Sequence, residues 1–522
     1  MLENIHRPLL RLVDRAERID DRIIVQSFTD AKPLFDLIST ENNQIIFGRR
    51  GTGKTHALKY LADHVQKSAD AAIYLDLREV GSNTSIYFDT NRPLADRATH
   101  LVQDILRGVH DELLRISLEQ IDQISNPVQV TTALDKLAEE CAGTRIVGSV
   151  NITDTSSESK SSSSSSQLKA GYESGVKLGG NIEKAGESQT HWSSERGVTG
   201  DEVAHVSFGG LQSALRSLVD TLRLNRLWLL LDEWSVIPFD LQPYMADIIR
   251  RCFFPIRNIT VKFAAIEHRS NFRLSSGQGQ YVGLELGSDA AADANLDDFM
   301  VFDNDGDKSK DFFSALIFNH LRAVDSTITA TYPNHVSLRS ALFNQSPTFE
   351  EFVRAAEGVP RDAIHLLGTA AQSMFGQPIT IPIVRKSAET WYTRDKSSSI
   401  IENPELSTFL QRIITEVIGH RKARAFLTRA DQRHPSVEEL FDLRLLHILK
   451  KNISSHDDPG IRYNAFKLDY GCYVNLINTS QATEGLFNTD DGSFVDVPPD
   501  DWRSIRRAIL ETEALPLGKR SR

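Results

Sequence analysis

The most informative segment of this sequence is Gly48-Arg49-Arg50-Gly51-Thr52-Gly53-Lys54-Thr55. It matches the pattern G-x-x-x-x-G-K-[ST] of phosphate-binding loops. The apolar run before it, residues 44–47, predicts a buried strand, and the helical pattern after it, residues 56–64, predicts a helix. Glycines at these places let the backbone bend so that successive N–H groups face phosphate oxygens, while the start of the helix adds partial positive charge. The stretch therefore predicts a nucleotide-binding P-loop between a strand and a helix.

The residue types inside the loop assign its contacts with a nucleotide. The ammonium group of Lys54 is expected to bridge the β- and γ-phosphates, and the hydroxyl of Thr55 is expected to bind Mg²⁺. ATP and Mg²⁺ are therefore the predicted cofactors. The predicted nucleotide ligands are the loop residues and the residue that follows them: Gly48, Arg49, Arg50, Gly51, Thr52, Gly53, Lys54, Thr55 and His56.

An acidic pair ends a second apolar run. Residues 227–231 read Leu-Trp-Leu-Leu-Leu and predict a buried strand, which is followed by Asp232 and Glu233. A carboxylate at the end of such a strand suits a magnesium ligand, and this is the role expected for Asp232. Glu233 is expected to be the general base that polarises the attacking water. Together with the loop, the pair predicts a Mg²⁺-dependent ATPase.

Length and composition limit the number of domains and the class of protein. A chain of 522 residues is too long for one hydrophobic core and predicts two to four domains. Its 40% hydrophobic and 25% charged residues exclude a wholly disordered protein. The 59 basic and 70 acidic residues give a net charge of −11, which argues against a surface coated with nucleic-acid-binding charge. No secretory signal and no transmembrane helix is visible, and three scattered cysteines fit a reducing compartment, so the expected location is cytoplasmic.

Apolar runs and helical patterns alternate on both sides of the loop. Besides the two runs already named, strands are predicted over residues 71–77 and 260–266. Residues 97–142 predict mainly helix, and residues 288–310 predict an acidic loop. Short buried strands that alternate with helices are typical of a parallel sheet covered on both faces, so the predicted fold class is α/β.

An insertion interrupts this pattern at residues 146–200. It contains six consecutive serines, Ser161–Ser166, which cannot be ordered by burial and predict a mobile tip or linker. Residues 146–152 and 170–182 place apolar side chains at every second position, which is the period of a strand with one apolar face. The insertion is therefore predicted to hold a long β-hairpin, and its apolar strip predicts a protein partner.

The two motifs, together with Gly358-Val359-Pro360-Arg361 at the start of a predicted helix, resemble an AAA+ P-loop ATPase of the origin-recognition type. The resemblance implies a helical lid in which Arg361 is the sensor-2 residue and reaches the γ-phosphate. It also implies a homo-oligomer in which one subunit donates an arginine to the nucleotide of its neighbour. Arg269 and Arg273 stand nearest to the expected place, and Arg273 is the candidate catalytic arginine. The sensor-1 residue stays open within residues 267–271.

The resemblance covers about residues 20–375 without the insertion. The predicted domains are an ATPase core over residues 1–145 and 201–304, the insertion over residues 146–200, a lid over residues 305–377 and a winged-helix-like α+β domain over residues 378–522. In the last domain, residues 435–451 predict a helix and residues 461–476 predict a β-hairpin. A basic stretch, residues 420–424 with Arg429 and Arg433, could contact the phosphates of double-stranded DNA, although a solvated helix face explains it equally well.

Two function classes fit these residues. In the first, an ATPase switch acts on DNA, and ATP closes the lid and assembles subunits on a duplex bound by the C-terminal domain. In the second, an oligomeric ATP-gated scaffold, as in bacterial defence and signalling, engages a partner through the insertion. A third hypothesis makes the hairpin a membrane-inserting element, since its strands reach the roughly 9–11 residues that a barrel strand needs. Salt-dependent binding to duplex DNA separates the first class from the others.

Overall fold

The computed structural model describes residues 2–12, 19–67, 70–80, 84–124, 126–154, 194–204, 206–275, 281–299, 306–420, 425–454 and 460–478. The strands are β1 (Gln44–Phe47), β2 (Ala71–Asp76), β3 (Thr144–Asp154), β4 (Ser194–Ala204), β5 (Leu227–Asp232), β6 (Ile259–Ala265), β7 (Arg273–Ser275), β8 (Tyr281–Gly283), β9 (Ala291–Asn295), β10 (Ala425–Arg429), β11 (Leu446–Ser454) and β12 (Arg462–Leu468). The α-helices are α1 (Glu3–Leu9), α2 (Asp21–Ser27), α3 (Leu34–Ile38), α4 (Lys54–Gln66), α5 (Thr84–Phe88), α6 (Leu94–Glu119), α7 (Pro127–Cys141), α8 (Phe208–Thr221), α9 (Gln242–Phe253), α10 (Leu296–Phe299), α11 (Gly306–Val324), α12 (Ile328–Thr331), α13 (His335–Leu342), α14 (Ser346–Ala356), α15 (Pro360–Ser373), α16 (Ile381–Trp391), α17 (Ser398–Ile401), α18 (Pro404–Ile413), α19 (Pro435–Asp442) and α20 (Tyr470–Asn478).

A five-stranded parallel sheet of order β2-β5-β6-β1-β9 confirms the α/β prediction and its four predicted strands. Every residue of β1 and β5 is buried, as expected for strands covered on both faces. The chain leaves β1 towards β2 on one side of the sheet and later adds β9 on the other side, so the strand order reverses at β1. In open parallel sheets, ligands bind outside the carboxyl ends of the strands at such a point.

The fifth strand corrects the prediction of a loop over residues 288–310. Strand β9 and helix α10 occupy residues 291–299, and β9 pairs in parallel with β1, where Asn295 lies opposite Phe47. The sequence of β9, Ala-Ala-Asp-Ala-Asn, contains no β-branched or aromatic residue and therefore gives no strand signal. The strand forms because it satisfies backbone groups of β1 that would otherwise be buried without partners.

The chain divides into two compact units. The first contains residues 1–64, 262–270 and 290–522, and the second contains residues 65–261 and 271–289. Strand β6 contributes residues to both. The first unit holds the predicted phosphate loop, the predicted lid helices and the C-terminal elements. The second unit holds β2, β5, helices α5 to α9 and the insertion.

An antiparallel pair of strands bounds the insertion, and its first strand covers the predicted segment 146–152. Strands β3 and β4 pair in antiparallel register from Thr144 opposite Ala204 to Asp154 opposite Ser194. The return strand of this ladder is thus β4. The alternating segment 170–182 and the serine run Ser161–Ser166 lie outside the described residues.

The C-terminal part of the first unit contains an antiparallel sheet of order β10-β12-β11. Strand β12 confirms the strand predicted in residues 461–470, but residues 472–476 belong to helix α20, and the hairpin pairs β12 with β11 instead. Helix α20 begins after Asp469, whose carboxylate accepts a hydrogen bond from the Cys472 N–H at 3.1 Å and so caps the helix. The winged helix remains a prediction.

The helix predicted over residues 435–451 is wrong beyond Asp442, because β11 follows it. A Schellman motif ends the helix: the Leu445 N–H donates to the Leu440 carbonyl at 2.9 Å, around Arg444 with φ of +64°. Glycine usually occupies this left-handed position, so an arginine there gives no stop signal in the sequence.

A fully buried lysine lies on the central sheet. Lys262 in β6 is opposite Gln44 in β1, and its Nζ donates to the Thr40 carbonyl at 2.7 Å and to Gln44 Oε1 at 2.9 Å. Burial lowers the pKa of Lys262 to about 7, although Asp293 acts in the opposite direction. Folding therefore favours the neutral amine.

This pKa shift predicts a pH-dependent contribution to stability. Above about pH 7 the unfolded chain, in which a lysine titrates near pH 10.4, binds more protons at this site than the folded chain, so stability rises with pH. Lys262→Met should remove that rise, which amounts to at most about 1.4 kcal/mol per pH unit. In urea unfolding at about pH 7, 8 and 9, the free energy of unfolding of the wild type should rise with pH relative to that of the variant. If the free energies of unfolding of the wild type and the variant change equally with pH, Lys262 stays charged when buried.

Candidate nucleotide-binding site

The loop after β1 has the backbone that the glycine pattern predicts. The Gly48 N–H donates to the Ala265 carbonyl at 3.2 Å, and Gly51 and Gly53 have φ angles of +89° and +99°. Residues other than glycine rarely adopt such φ angles. A Cβ atom on Gly48 would lie 2.5 Å from the Thr52 hydroxyl, which itself donates to the Arg49 carbonyl at 2.9 Å. The loop is therefore a tight cradle that leads directly into α4.

The predicted phosphate-binding lysine lies inside this cradle. Lys54 Nζ donates to the carbonyl oxygens of Gly48 at 2.7 Å and Arg49 at 3.0 Å, and the residue is only 8% exposed. Its charge adds to the partial positive charge at the start of α4, a helix of 13 residues. Thr55, the next residue, is half-buried in the first turn of that helix. Loop, lysine and helix end together suit an anion such as a polyphosphate.

The predicted lid arginine lies against the loop. The Arg361 N–H donates to the Gly51 carbonyl at 3.2 Å. A Cβ atom on Gly51 would approach the Arg361 Cβ to 2.8 Å and a Val359 methyl group to 3.2 Å. Arg361 is the second residue of α15, which begins at Pro360 as the sequence predicts. The first unit therefore brings the G-x-P-R segment and the phosphate loop into direct contact.

The side chain of Arg49 points away from the cradle. It is 4% exposed, and Asp297 accepts hydrogen bonds from its N–H at 2.8 Å and its Nε at 2.6 Å. Its other end reaches the Leu446 carbonyl at 3.1 Å and His447 Nδ1 at 3.2 Å, and the guanidinium lies 4.2 Å from the ring centre of Phe441. Arg50, by contrast, is exposed.

His56 lies in the first turn of α4 and faces helix α2. Its Nε2 is 2.6 Å from the Ile24 carbonyl and 3.4 Å from the Ser27 hydroxyl. Burial lowers the pKa of His56 below its ordinary value. Its ring also contacts the rings of Phe28 and His320. Among the predicted nucleotide ligands, Arg49 and His56 thus have side chains that contact protein groups outside the loop.

In the second unit, Asp232 ends β5 and is fully buried. The Tyr74 hydroxyl donates to its Oδ2 and the Glu233 N–H donates to its Oδ1, both at 2.8 Å. Burial and the Asp232 carboxylate raise the pKa of Tyr74, so that its hydroxyl stays a donor. Both contacts suit an ionised carboxylate, which is the form that binds Mg²⁺. Sequence reasoning missed Tyr74, because only the pairing of β2 with β5 places it there.

Glu233 adopts the left-handed conformation, with φ of +57°. Such a conformation is uncommon for a residue other than glycine and is concentrated at functional sites. One carboxylate oxygen of Glu233 is 3.9 Å from an Nη of Arg78, which also forms an ion pair with Asp76. The arginine thus lies beside the predicted general base and was not anticipated from the sequence.

The two candidate trans-acting arginines have protein partners within their own units. Arg273 in β7 pairs with Glu285 at 2.6 Å and lies 4.6 Å from the ring centre of Tyr281, and its side chain is 41% exposed. Arg269, in the other unit, pairs with Asp442 at 3.2 Å. Exposure leaves Arg273 accessible to another molecule.

Residues 12–222 match the model of the ORC-CDC6-like family. The matched segment contains the phosphate loop and ends before the acidic pair. A search among curated proteins found no match. Among the described residues, no helix combines the length and apolar character needed to cross a bilayer. The family match over residues 12–222 and the five-stranded parallel sheet that contains β1 support an AAA+ ATPase core of the ORC/Cdc6 type.

Proposed function

We propose that this protein is a Mg²⁺-dependent ATPase that uses ATP as a conformational switch. The observation that carries the proposal is the hydrogen bond from the Arg361 N–H to the Gly51 carbonyl. Because the lid segment contacts the loop directly, a phosphate chain in the loop also lies beside the lid. Occupancy of the loop and position of the lid can then control each other, as an ATP switch requires.

ATP binding would begin with the chain's own cradle. The loop N–H groups and the start of α4 provide donors for the phosphates, and all residues from Gly48 to His56 contribute to this site in the proposal. The Lys54 ammonium, which now donates to two loop carbonyls, would turn its donors towards the β- and γ-phosphates. Arg49 and His56 would act through the shape of the loop and of α4, since their side chains contact protein groups.

Thr55 and Asp232 are the residues that would hold Mg²⁺. A hydroxyl and an ionised carboxylate fit this ion, which prefers oxygen ligands and keeps several waters. When bound, the ion would neutralise negative charge on the phosphate oxygens. Tyr74 and the Glu233 N–H would keep the Asp232 carboxylate oriented through their hydrogen bonds.

In ATP hydrolysis, Glu233 would act as the general base. The oxygen of a water attacks the γ-phosphorus, the bond from that phosphorus to the β–γ bridging oxygen breaks, and the water proton passes to the Glu233 carboxylate. The products are ADP and inorganic phosphate. Arg361 would stabilise the charge that develops on the γ-phosphoryl group. In a homo-oligomer, the exposed Arg273 would supply a second positive charge to the nucleotide of the neighbouring subunit.

The molecule on which the ATPase acts, double-stranded DNA or a protein partner, is also part of the proposal. Of the basic stretch, Arg429 pairs with Asp431 and Arg433 pairs with Glu438, so both charges are already balanced. Residues 421–424 lie outside the described part of the chain. Salt-dependent binding to duplex DNA would separate action of the C-terminal region on DNA from an ATP-gated assembly that engages a protein partner through the insertion.

Substitutions of the proposed phosphate-binding lysine and of the proposed general base should separate ATP binding from hydrolysis. Lys54→Ala removes the charge expected on the β- and γ-phosphates and should abolish binding of a fluorescent ATP analogue. Glu233→Gln keeps the loop and Asp232, so it should bind ATP but release phosphate at least about a hundredfold more slowly.

Lys59→Ala is the matched control for the first substitution, because Lys59 is also in α4 but pairs with Asp21 at the surface. It should bind the analogue as the wild type does. Phosphate release by Glu233→Gln at the wild-type rate would remove Glu233 from the role of base.

The lid arginine should act on turnover more than on affinity. Arg361→Ala is expected to change ATP affinity modestly and to lower the rate of phosphate release, because the arginine acts on charge that develops during the reaction. Arg322→Ala, which removes an exposed arginine of α11, provides a control and should leave the rate unchanged. Equal loss of ADP and ATP binding without a separate turnover defect would make Arg361 a structural residue.

The insertion should affect assembly and not nucleotide binding. Replacing residues 144–204 by a short Gly/Ser linker should preserve ATP affinity and reduce the ATP-dependent increase in particle mass measured by light scattering. Replacing only residues 155–193 keeps the β3–β4 ladder and shows whether the ladder itself is sufficient. An unchanged mass after the larger replacement would exclude the insertion from assembly.

A further inference from the structure

We propose that Arg49 is a positioning residue that couples the nucleotide in the phosphate loop to the C-terminal β10-β12-β11 sheet. The inference rests on the proposed function, because it needs ATP to bind the loop. It assigns to Arg49 a role other than that of a phosphate ligand. Its backbone belongs to the loop, while its side chain ends on the first two residues of β11.

The geometry of Arg49 requires an arginine. Its N–H and Nε fix the Asp297 carboxylate, and its Nη1 extends beyond that pair to the Leu446 carbonyl and His447. The planar guanidinium also covers the ring of Phe441 in α19. A lysine has a single charged nitrogen and could hold Asp297 but not the other contacts at the same time.

The contact continues beyond Arg49 with a fixed direction of hydrogen bonding. A guanidinium can only donate, so His447 Nδ1 must accept and its Nε2 must carry the hydrogen. That Nε2–H donates to Asp469 Oδ2 at 3.2 Å. Burial lowers the pKa of His447, in agreement with a neutral ring. Asp469 in turn caps α20.

The same chain of contacts returns to the lid. Asp469 accepts from Lys396 Nζ at 2.5 Å, and Lys396 lies 2.8 Å from Asp362, the residue after the lid arginine. Arg444 also forms an ion pair with Asp362. Burial alone would raise the pKa of Asp362, but Arg444 and Lys396 hold it well below its usual range. Hydrogen bonds and ion pairs therefore connect Arg49 in the phosphate loop to Asp362 in the first turn of α15.

Burial makes this chain of contacts act as one unit. The side chains of Asp362, Lys396, His447 and Asp469 are at most 2% exposed, so water cannot replace a partner that moves away. A shift of the loop or the lid on ATP binding would leave a buried hydrogen-bonding or charged group without its partner unless the C-terminal sheet moved with it. The sheet should therefore respond to ATP through Arg49 and Asp469.

Hydrogen–deuterium exchange with and without ATP and Mg²⁺ tests this inference on the full chain. A Glu233→Gln background keeps ATP intact, and binding of a fluorescent ATP analogue is measured on the same samples. ATP is expected to slow exchange in peptides covering β11 and β12 by roughly fivefold or more. Arg49→Lys should still bind ATP but lose this slowing. Asp469→Asn, which lies further along the chain of contacts, should lose it as well.

Arg115→Ala is the matched control, because Arg115 also pairs with two carboxylates but does so at the surface of α6. It should keep the slowing. If ATP binds and exchange in β11 and β12 does not change, or if the slowing persists in Arg49→Lys, the coupling is wrong while the ATPase proposal stands. If the parent protein does not bind ATP, the proposed function fails and the coupling fails with it.

Discussion

The bend at Gly51 is the constraint on which the rest of the site depends. The residue needs a φ of +89°, and it has no side chain to separate its backbone from Val359 and Arg361. Its carbonyl then accepts the hydrogen bond that attaches the lid segment to the loop. The shape that exposes N–H groups to phosphates is thus the same shape that brings the lid arginine alongside. In the proposed function, this one glycine affects both nucleotide binding and the position of the lid.

Local patterns predicted the centre of the fold well. Buried parallel strands such as β1 and β5 consist of continuous apolar runs, and the P-loop between β1 and α4 follows from residue types at fixed spacing. Strand β9 escaped prediction because it is held by pairing with β1 and not by its own sequence. The end of α19 escaped it because Arg444 occupies a position where glycine is the usual signal. The first feature depends on a long-range pairing, and the second depends on a backbone conformation that the residue type does not signal.

In the candidate site, too, some residues could be predicted from local motifs and others could not. The glycines, Lys54 and the Asp232–Glu233 pair could be named from sequence, since each belongs to a short motif with a known chemical role. Tyr74, Asp297 and His447 could not, because each reaches its partner across a large separation in the chain. The sequence also suggested Arg49 as a nucleotide ligand, whereas its side chain contacts Asp297 and β11. A motif therefore identifies the chemistry of a loop but not the direction of each variable side chain.

A crystal structure with a non-hydrolysable ATP analogue and Mg²⁺ would show whether the cradle and the lid are parts of one nucleotide site. A triphosphate is expected along Gly48–Thr55, with Lys54 Nζ and the Arg361 guanidinium both within hydrogen-bond distance of γ-phosphate oxygens. A triphosphate bound elsewhere, or bound in the loop with Arg361 turned away from it, would show that the cradle and the lid are not one site.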